Sequence, residues 1–182
     1  MILNYEMVKT KYRNENNLKL ALQRGELFKV EKGVYSDRAN VSELEVIIFK
    51  NPKAIFTSES AYYYHDLTDY VPEKYFLATP KDAYKIRDKR VKQVFYLDKQ
   101  FGFGVQEMDY NGVTIKIYDK ERMLIELIRK KSKLPFDYYK EIIRNYREII
   151  EKLDIQKIED YIKKYESETE LYNKIMLEVF WW

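Results

Sequence analysis

The stretch Asn14–Ser36, NENNLKLALQRGELFKVEKGVYS, decides the fold. Leu18, Ala21 and Leu22 stand at i, i+3 and i+4, which places three apolar side chains on one face of a helix. Gly25 follows where a helix needs a left-handed residue to stop. Residues 27–30 and 34–36 are β-prone runs separated by Glu31-Lys32-Gly33, so they predict a hairpin. Working outward, Tyr5, Val8 and Tyr12 recur at three and four and predict an earlier helix, with Arg13-Asn14-Glu15-Asn16 as the turn between the two. Helix, turn, helix and hairpin in this order predict a winged helix-turn-helix over residues 1–40, possible extension running to about residue 50.

The face opposite Leu18, Ala21 and Leu22 carries Asn16, Leu20 and Gln23, flanked by Lys19 and Arg24. Asparagine and glutamine can pair bidentately with adenine, while lysine and arginine serve guanine or phosphate. A recognition helix in a major groove needs this composition. Lys9, Lys11, Arg13, Lys19, Arg24, Lys29 and Lys32 are therefore assigned to phosphates, and Asn16, Asn17 and Gln23 to bases. Leu20 is discordant: it meets a thymine methyl or packs on protein. The plainer alternative is a small helical cap whose outer face is merely polar.

Composition narrows the field. The chain has 182 residues, 46% hydrophobic and 35% charged, enough for one ordinary domain or two small ones. With no cysteine and one histidine, disulfide scaffolds, zinc–thiolate sites, thiol nucleophiles and two-histidine zinc sites are excluded. The first six residues have neither a basic segment nor a long apolar one, and no apolar run approaches the roughly 18 residues of a membrane span. These features predict a cytoplasmic protein with no membrane contact.

The net charge of +3 is unevenly spread. Residues 81–100 hold seven basic against three acidic side chains, residues 129–147 seven against two, and residues 148–182 five against nine. A chain with basic zones and an acidic end suits a protein that touches a polyanion on one face. A second basic patch is drawn from Lys81, Lys85, Arg87, Lys89, Arg90, Lys92, Arg129, Lys130, Lys131 and Lys133. It extends a DNA footprint, serves another role, or is a set of solvated faces.

Residues 51–182 predict an α+β domain. Residues 42–50 form a helix ended by Asn51-Pro52, and residues 53–57 a strand. Thr57 or Ser58 caps a helix through Leu67 that stops near Asp69. Strands follow over 75–78, 91–96, 105–110 and 113–118, the last two joined by the type I′ signal Asn111-Gly112. Asp119 caps a helix burying Met123, Leu124, Leu127 and Ile128. Phe136, Tyr139, Ile143, Tyr146, Ile150 and Leu153 then recur over about five turns as core, and two more helices carry Ile155, Ile158, Ile162 and Tyr165, then Leu171, Ile175 and Val179. The fold class is thus α+β: an N-terminal winged helix-turn-helix, then a small mixed sheet packed with a C-terminal helical layer.

No phosphate-binding glycine loop, G-x-S-x-G or H-E-x-x-H is present. His65 is expected to be packed or at the surface rather than catalytic, and no carboxylate set forms a recognisable metal pair. The expectation is no enzyme, no cofactor and no metal. The alternatives are a metal-dependent nuclease or nucleotidyltransferase relative, and a protein-interaction module built on the tyrosine-rich helices.

Three blocks, in order, resemble the AbiEi family. Gly25-Glu26-Leu27 followed by Gly33-Val34-Tyr35 is similar to its G-x-L…(R/K)-G-x-Y wing signature. Ser58-Glu59-Ser60-Ala61-Tyr62-Tyr63-Tyr64-His65-Asp66-Leu67 is similar to S-x-x-S-A-(L/Y)-x-x-H-(G/D)-L. Glu121-Arg122-Met123-Leu124-Ile125-Glu126-Leu127-Ile128-Arg129 resembles E-R-T-L-V-D-L-L-R, with Met123 in place of threonine. The resemblance implies a transcriptional autorepressor and antitoxin of a type IV toxin–antitoxin system, linked to abortive infection and phage defence. Its winged helix-turn-helix is expected to bind inverted repeats of double-stranded DNA in its own promoter, as a monomer or weak dimer. Its C-terminal domain is expected to counteract a nucleotidyltransferase-like toxin without a stable complex.

Overall fold

The computed structural model describes residues 1–181. The chain is α+β and divides into two compact units, Met1–Pro52 and a second beginning at Lys53.

The first unit opens with a strand that the sequence pattern did not announce, β1 (Ile2–Asn4). Asn4 then caps α1 (Tyr5–Tyr12) by accepting from the Met7 amide, and Asn14 caps α2 (Glu15–Gln23) by accepting from the Asn17 amide. The turn between the helices is therefore shorter than expected, Arg13-Asn14, since Glu15 and Asn16 already lie in α2. Gly25, at φ +70°, ends α2 as expected, its missing Cβ tolerating the left-handed conformation. The chain returns through β2 (Phe28–Glu31) and β3 (Val34–Ser36), turning at Lys32-Gly33. β3 lies in the middle of an antiparallel sheet of order β1-β3-β2. Leu3, Val8, Ala21, Leu27 and Tyr35 form the core, with Tyr12, Leu18 and Leu22 packed against it.

The next helix, α3 (Glu43–Lys50), begins with a complete capping box between Ser42 and Glu45. Lys50 at its end pairs with Glu31 of β2 at 2.8 Å, so residues 42–50 are tied to the hairpin. Asn51 ends the helix just before Pro52.

The second unit is built on a five-stranded sheet of order β6-β5-β4-β8-β7. Its strands are β4 (Ile55–Phe56), β5 (Tyr75–Pro80), β6 (Val91–Tyr96), β7 (Val105–Tyr110) and β8 (Val113–Tyr118). The sheet is mixed: β5–β6 and β4–β8 run parallel, β4–β5 and β7–β8 antiparallel. Asn111 and Gly112 both take positive φ at the β7–β8 turn, as the type I′ signal requires.

Between β4 and β5, α4 (Ser58–Tyr64) ends five residues earlier than expected, with His65 as its C-cap and Asp66 left-handed at φ +58°. Thr57 holds the N-cap position but makes no cap hydrogen bond; its hydroxyl lies 3.2 Å from the Tyr96 hydroxyl instead. A short helix, α5 (Asp98–Phe101), links β6 to β7.

Asp119 caps α6 (Lys120–Arg129), accepting from the Arg122 amide. Every residue from Glu121 to Ile128 is buried, because α4, α8 (Ile155–Ile162) and α9 (Glu168–Ile175) all pack on α6. The sequence foresaw one buried face; the helix is buried all round. The long stripe expected from Phe136 to Leu153 is cut short: α7 (Phe136–Glu148) buries Tyr139, Ile142, Ile143 and Tyr146, and a 3-10 turn at Ile150–Lys152 precedes Leu153. Phe136, expected in the core, stands 67% exposed, and Ile155 is also at the surface. The last helix continues as a π turn over Met176–Phe180. Among the described residues, no helix is long and apolar enough to cross a membrane.

Candidate nucleic-acid interface

In the first unit the sequence-selected side chains are all exposed: Lys9, Lys11 and Arg13 on and after α1, Asn16, Asn17, Lys19, Gln23 and Arg24 on and after α2, and Lys29 and Lys32 on the hairpin. The cause is the helical repeat. Once Ala21 is buried, with Leu18 and Leu22 beside it, Asn16, Lys19 and Gln23 must lie on the outer surface.

The electrostatics of this surface follow from how the acids are used. Glu45 is held by Arg38 at 2.6 Å and by the Ser42 amide, which together keep its carboxyl below the usual range, and Glu31 is bound to Lys50. Lys9, Lys11, Arg13, Lys19, Lys29 and Lys32 make no ion pair among the described residues. Arg24 has only a long approach to Glu26, at 4.0 Å. The basic side chains are thus available to an outside anion.

Two residues of α2 bear on these assignments in detail. Asn17 was assigned to base reading, but its amide nitrogen donates to the Tyr12 carbonyl at 3.1 Å and braces the α1–α2 turn. Leu20 is 44% exposed, so it presents an apolar contact rather than filling a gap in the core of this unit.

The second basic patch is heterogeneous. Lys81, Lys85, Arg87 and Lys89 are exposed in the segment joining β5 to β6, and Lys92 on β6 is exposed too. Arg90 is chelated by Asp88 at 2.7 and 2.9 Å. Arg129 pairs with Glu126 at 3.2 Å, Lys131 with Glu178 at 2.7 Å, and Lys133 is exposed. Lys130 points inward, its ammonium 3.2 Å from Glu126 and 3.3 Å from the Tyr96 hydroxyl.

That inward turn belongs to a buried ion cluster that the sequence did not reveal. Arg122 is fully buried, its guanidinium 3.9 Å from the Phe103 ring centroid and 3.3 Å from Glu126, with Nη2 donating to the Gln100 carbonyl at 2.9 Å. Glu126 also accepts from the Tyr165 hydroxyl at 2.8 Å. Burial alone raises the Glu126 pKa, but Lys130, Arg122 and Arg129 outweigh it, so the carboxyl titrates below its ordinary value. Burial pulls Lys130 down, while the Tyr96 and Glu126 oxygens more than restore it, so its net shift is upward. The only sequence signal was charge at i, i+4 and i+8 in a helix otherwise apolar on two sides, a pattern that equally describes a surface ladder.

His65 is packed, one of the two placements expected for it. Its Nε2 lies 2.7 Å from the Tyr118 carbonyl, and since a carbonyl only accepts, that nitrogen carries the proton. Burial lowers its pKa. Among the described residues, no three acidic or histidine side chains are gathered where they could hold a metal ion.

No protein-family model matches the chain, and no curated protein matches it.

Proposed function

We propose that residues 1–52 form a winged helix-turn-helix that binds duplex DNA, and that the chain is the autorepressor and antitoxin of a type IV toxin–antitoxin system. The observation that carries the DNA reading is the outer surface of α1, α2 and the β2–β3 hairpin. Six cations there lack ion pairs, and Asn16 and Gln23 stand exposed between them on α2. Further support comes from the order of elements: strand, helix, short turn, helix and hairpin, with the first strand completing the hairpin sheet. In this assignment α2 enters the major groove, Asn16 and Gln23 meet base edges, Leu20 meets a thymine methyl, and Lys29 and Lys32 approach the backbone from the hairpin. Asn17 acts by fixing the angle between α1 and α2.

The antitoxin half of the proposal rests on the three sequence blocks alone. Two of them fall on α4 and α6, which pack together in the second unit. The partner is then a nucleotidyltransferase-like toxin that is counteracted without a stable complex.

Mobility-shift titration against the region upstream of the chain's own gene, repeated at several salt concentrations, tests the DNA reading. Lys19→Gln with Arg24→Gln is expected to weaken binding and flatten the logarithmic salt slope by about 0.9 per lost phosphate contact. Unchanged affinity and slope would overturn the assignment of α2. Growth rescue on co-expression with a neighbouring nucleotidyltransferase-like gene tests the antitoxin role, and failure to rescue would remove it.

A further inference from the structure

The second unit carries a cleft that the duplex-binding surface does not use. Two adjoining cavities, about 520 and 540 Å³, share Lys131, Phe136, Tyr139 and Glu178 and so form one continuous groove along α7. Each is in the range that holds a small organic group, roughly 300–1,000 Å³.

Three properties of the groove point to one ligand chemistry. First, Phe136, Lys140 and Arg144 stand at i, i+4 and i+8 on α7, a single stripe that advances about 6 Å per step. Second, Lys140 and Arg144 are exposed and make no ion pair among the described residues, whereas the other basic lining is engaged: Arg129 by Glu126, Lys131 by Glu178, Lys174 by Glu170, and Arg147 by the Glu178 carbonyl. The acidic lining is smaller and partly occupied: Glu178 is bound by Lys131 at 2.7 Å and by the Tyr139 hydroxyl at 2.5 Å, Glu141 accepts from the Asp69 amide, and Asp137 is exposed one residue after Phe136. Third, Phe136 begins the helix 67% exposed, so its ring offers an apolar face beside these cations. The Lys140 ammonium sits 5.1 Å from that ring centroid.

We propose that this groove binds single-stranded nucleic acid, with a base stacked on Phe136 and successive phosphates along Lys140 and Arg144. A stacking ring beside a row of cations is the arrangement by which proteins hold single strands, whose bases are free to leave the helix axis. Duplex DNA offers phosphates but no exposed base face, so it leaves Phe136 unexplained. The inference stands independently of the duplex reading of residues 1–52.

Fluorescence anisotropy of the full chain with a labelled 12-nucleotide mixed-sequence RNA tests it; single-stranded DNA of the same sequence, which has the same base faces and phosphates, is expected to compete, and duplex DNA is expected not to. Phe136→Ala is expected to weaken RNA binding at least fivefold, and Lys140→Glu with Arg144→Glu at least tenfold. Lys19→Gln with Arg24→Gln is expected to leave RNA binding unchanged, which separates this site from the duplex reader. Circular dichroism checks that each variant is folded. Because Phe136, Lys140 and Arg144 are exposed, they are not needed for the core. Absence of RNA binding, or binding indifferent to both groove variants, overturns the proposal. So does duplex DNA competing as well as RNA through the same three residues, which would make the groove a duplex contact.

Discussion

Replacing Glu126 by glutamine keeps the size and shape of the side chain and deletes one charge. Three cations depend on that charge, but they do not depend on it equally. Arg129 and Lys130 keep partial access to water, whereas the Arg122 side chain has none. Arg122 also has Nε and Nη1 without a hydrogen-bond partner, so its compensation comes from Glu126, one carbonyl and the surrounding faces of Phe103, Tyr118, Tyr96 and Tyr165. Glu126→Gln therefore strands one fully buried cation, and the expected loss is about 3–5 kcal/mol. At about 3 °C per kcal/mol for a chain of this size, Tm falls by about 10–15 °C. Arg122→Met removes the cation together with its unpartnered donors and leaves Glu126 its other two partners, so it is expected to stay within about 1 kcal/mol of the wild type. The double variant is then more stable than Glu126→Gln alone by about 2 kcal/mol or more. Urea unfolding followed by circular dichroism, at constant m-value, measures all three. If Glu126→Gln cost under about 1 kcal/mol, or the double variant equalled the sum of the singles, the electrostatic account of this cluster would be wrong.

Other outcomes follow from the same geometry. The Glu126 carboxyl titrates below its ordinary 4.5 in the folded chain, so its stabilisation is complete above that pH and is lost as pH falls through the lowered value; Glu126→Gln should flatten the acid limb of a stability–pH curve. His65, lowered from 6.5 by burial, opposes folding once it must be protonated. Stability should decline as pH drops from 6.5 through its folded value, and His65→Gln should remove that part of the slope in urea titrations at pH 5 and pH 7. At Gly104, φ is +65° and an added Cβ would lie 2.8 Å from the Arg122 Cβ, so Gly104→Ala should cost about 2 kcal/mol or more by thermal melting, whereas exposed Gly102→Ala should cost little.

The local elements were legible where one residue type decides the backbone. Gly25 and Asn111-Gly112 marked their turns because positive φ is cheap for them, and Asp119 marked a helix start because a carboxylate beside free amides is a strong local interaction. β1 was not legible: three residues carry no period, and they become a strand only through β3, some thirty residues later in the chain. The exposed surface on α2 followed from its apolar stripe, since knowing the buried face fixes the opposite one. Phe136 and the ion cluster failed for a shared reason. A periodic pattern tells which side chains share a face and is silent on whether that face is covered. The stripe through Tyr139 and Tyr146 gave no sign that Phe136 projects past the core, and Glu126 looked like any surface acid until α4, α8 and α9 closed around α6.

The pairing of β1 with β3 bears on how the N-terminal unit can be isolated. A trimmed fragment that starts at Tyr5 would keep both helices and the hairpin, and on paper it would look like a complete reader. It would also expose the outer margin of Val34–Ser36, three buried residues whose backbone partners are Ile2–Asn4, and it would remove Leu3 from beneath the helices. A bare margin of that kind recruits strands from other molecules. Clumping of such a fragment would therefore report a missing seam rather than any intrinsic inability of the unit to stand alone.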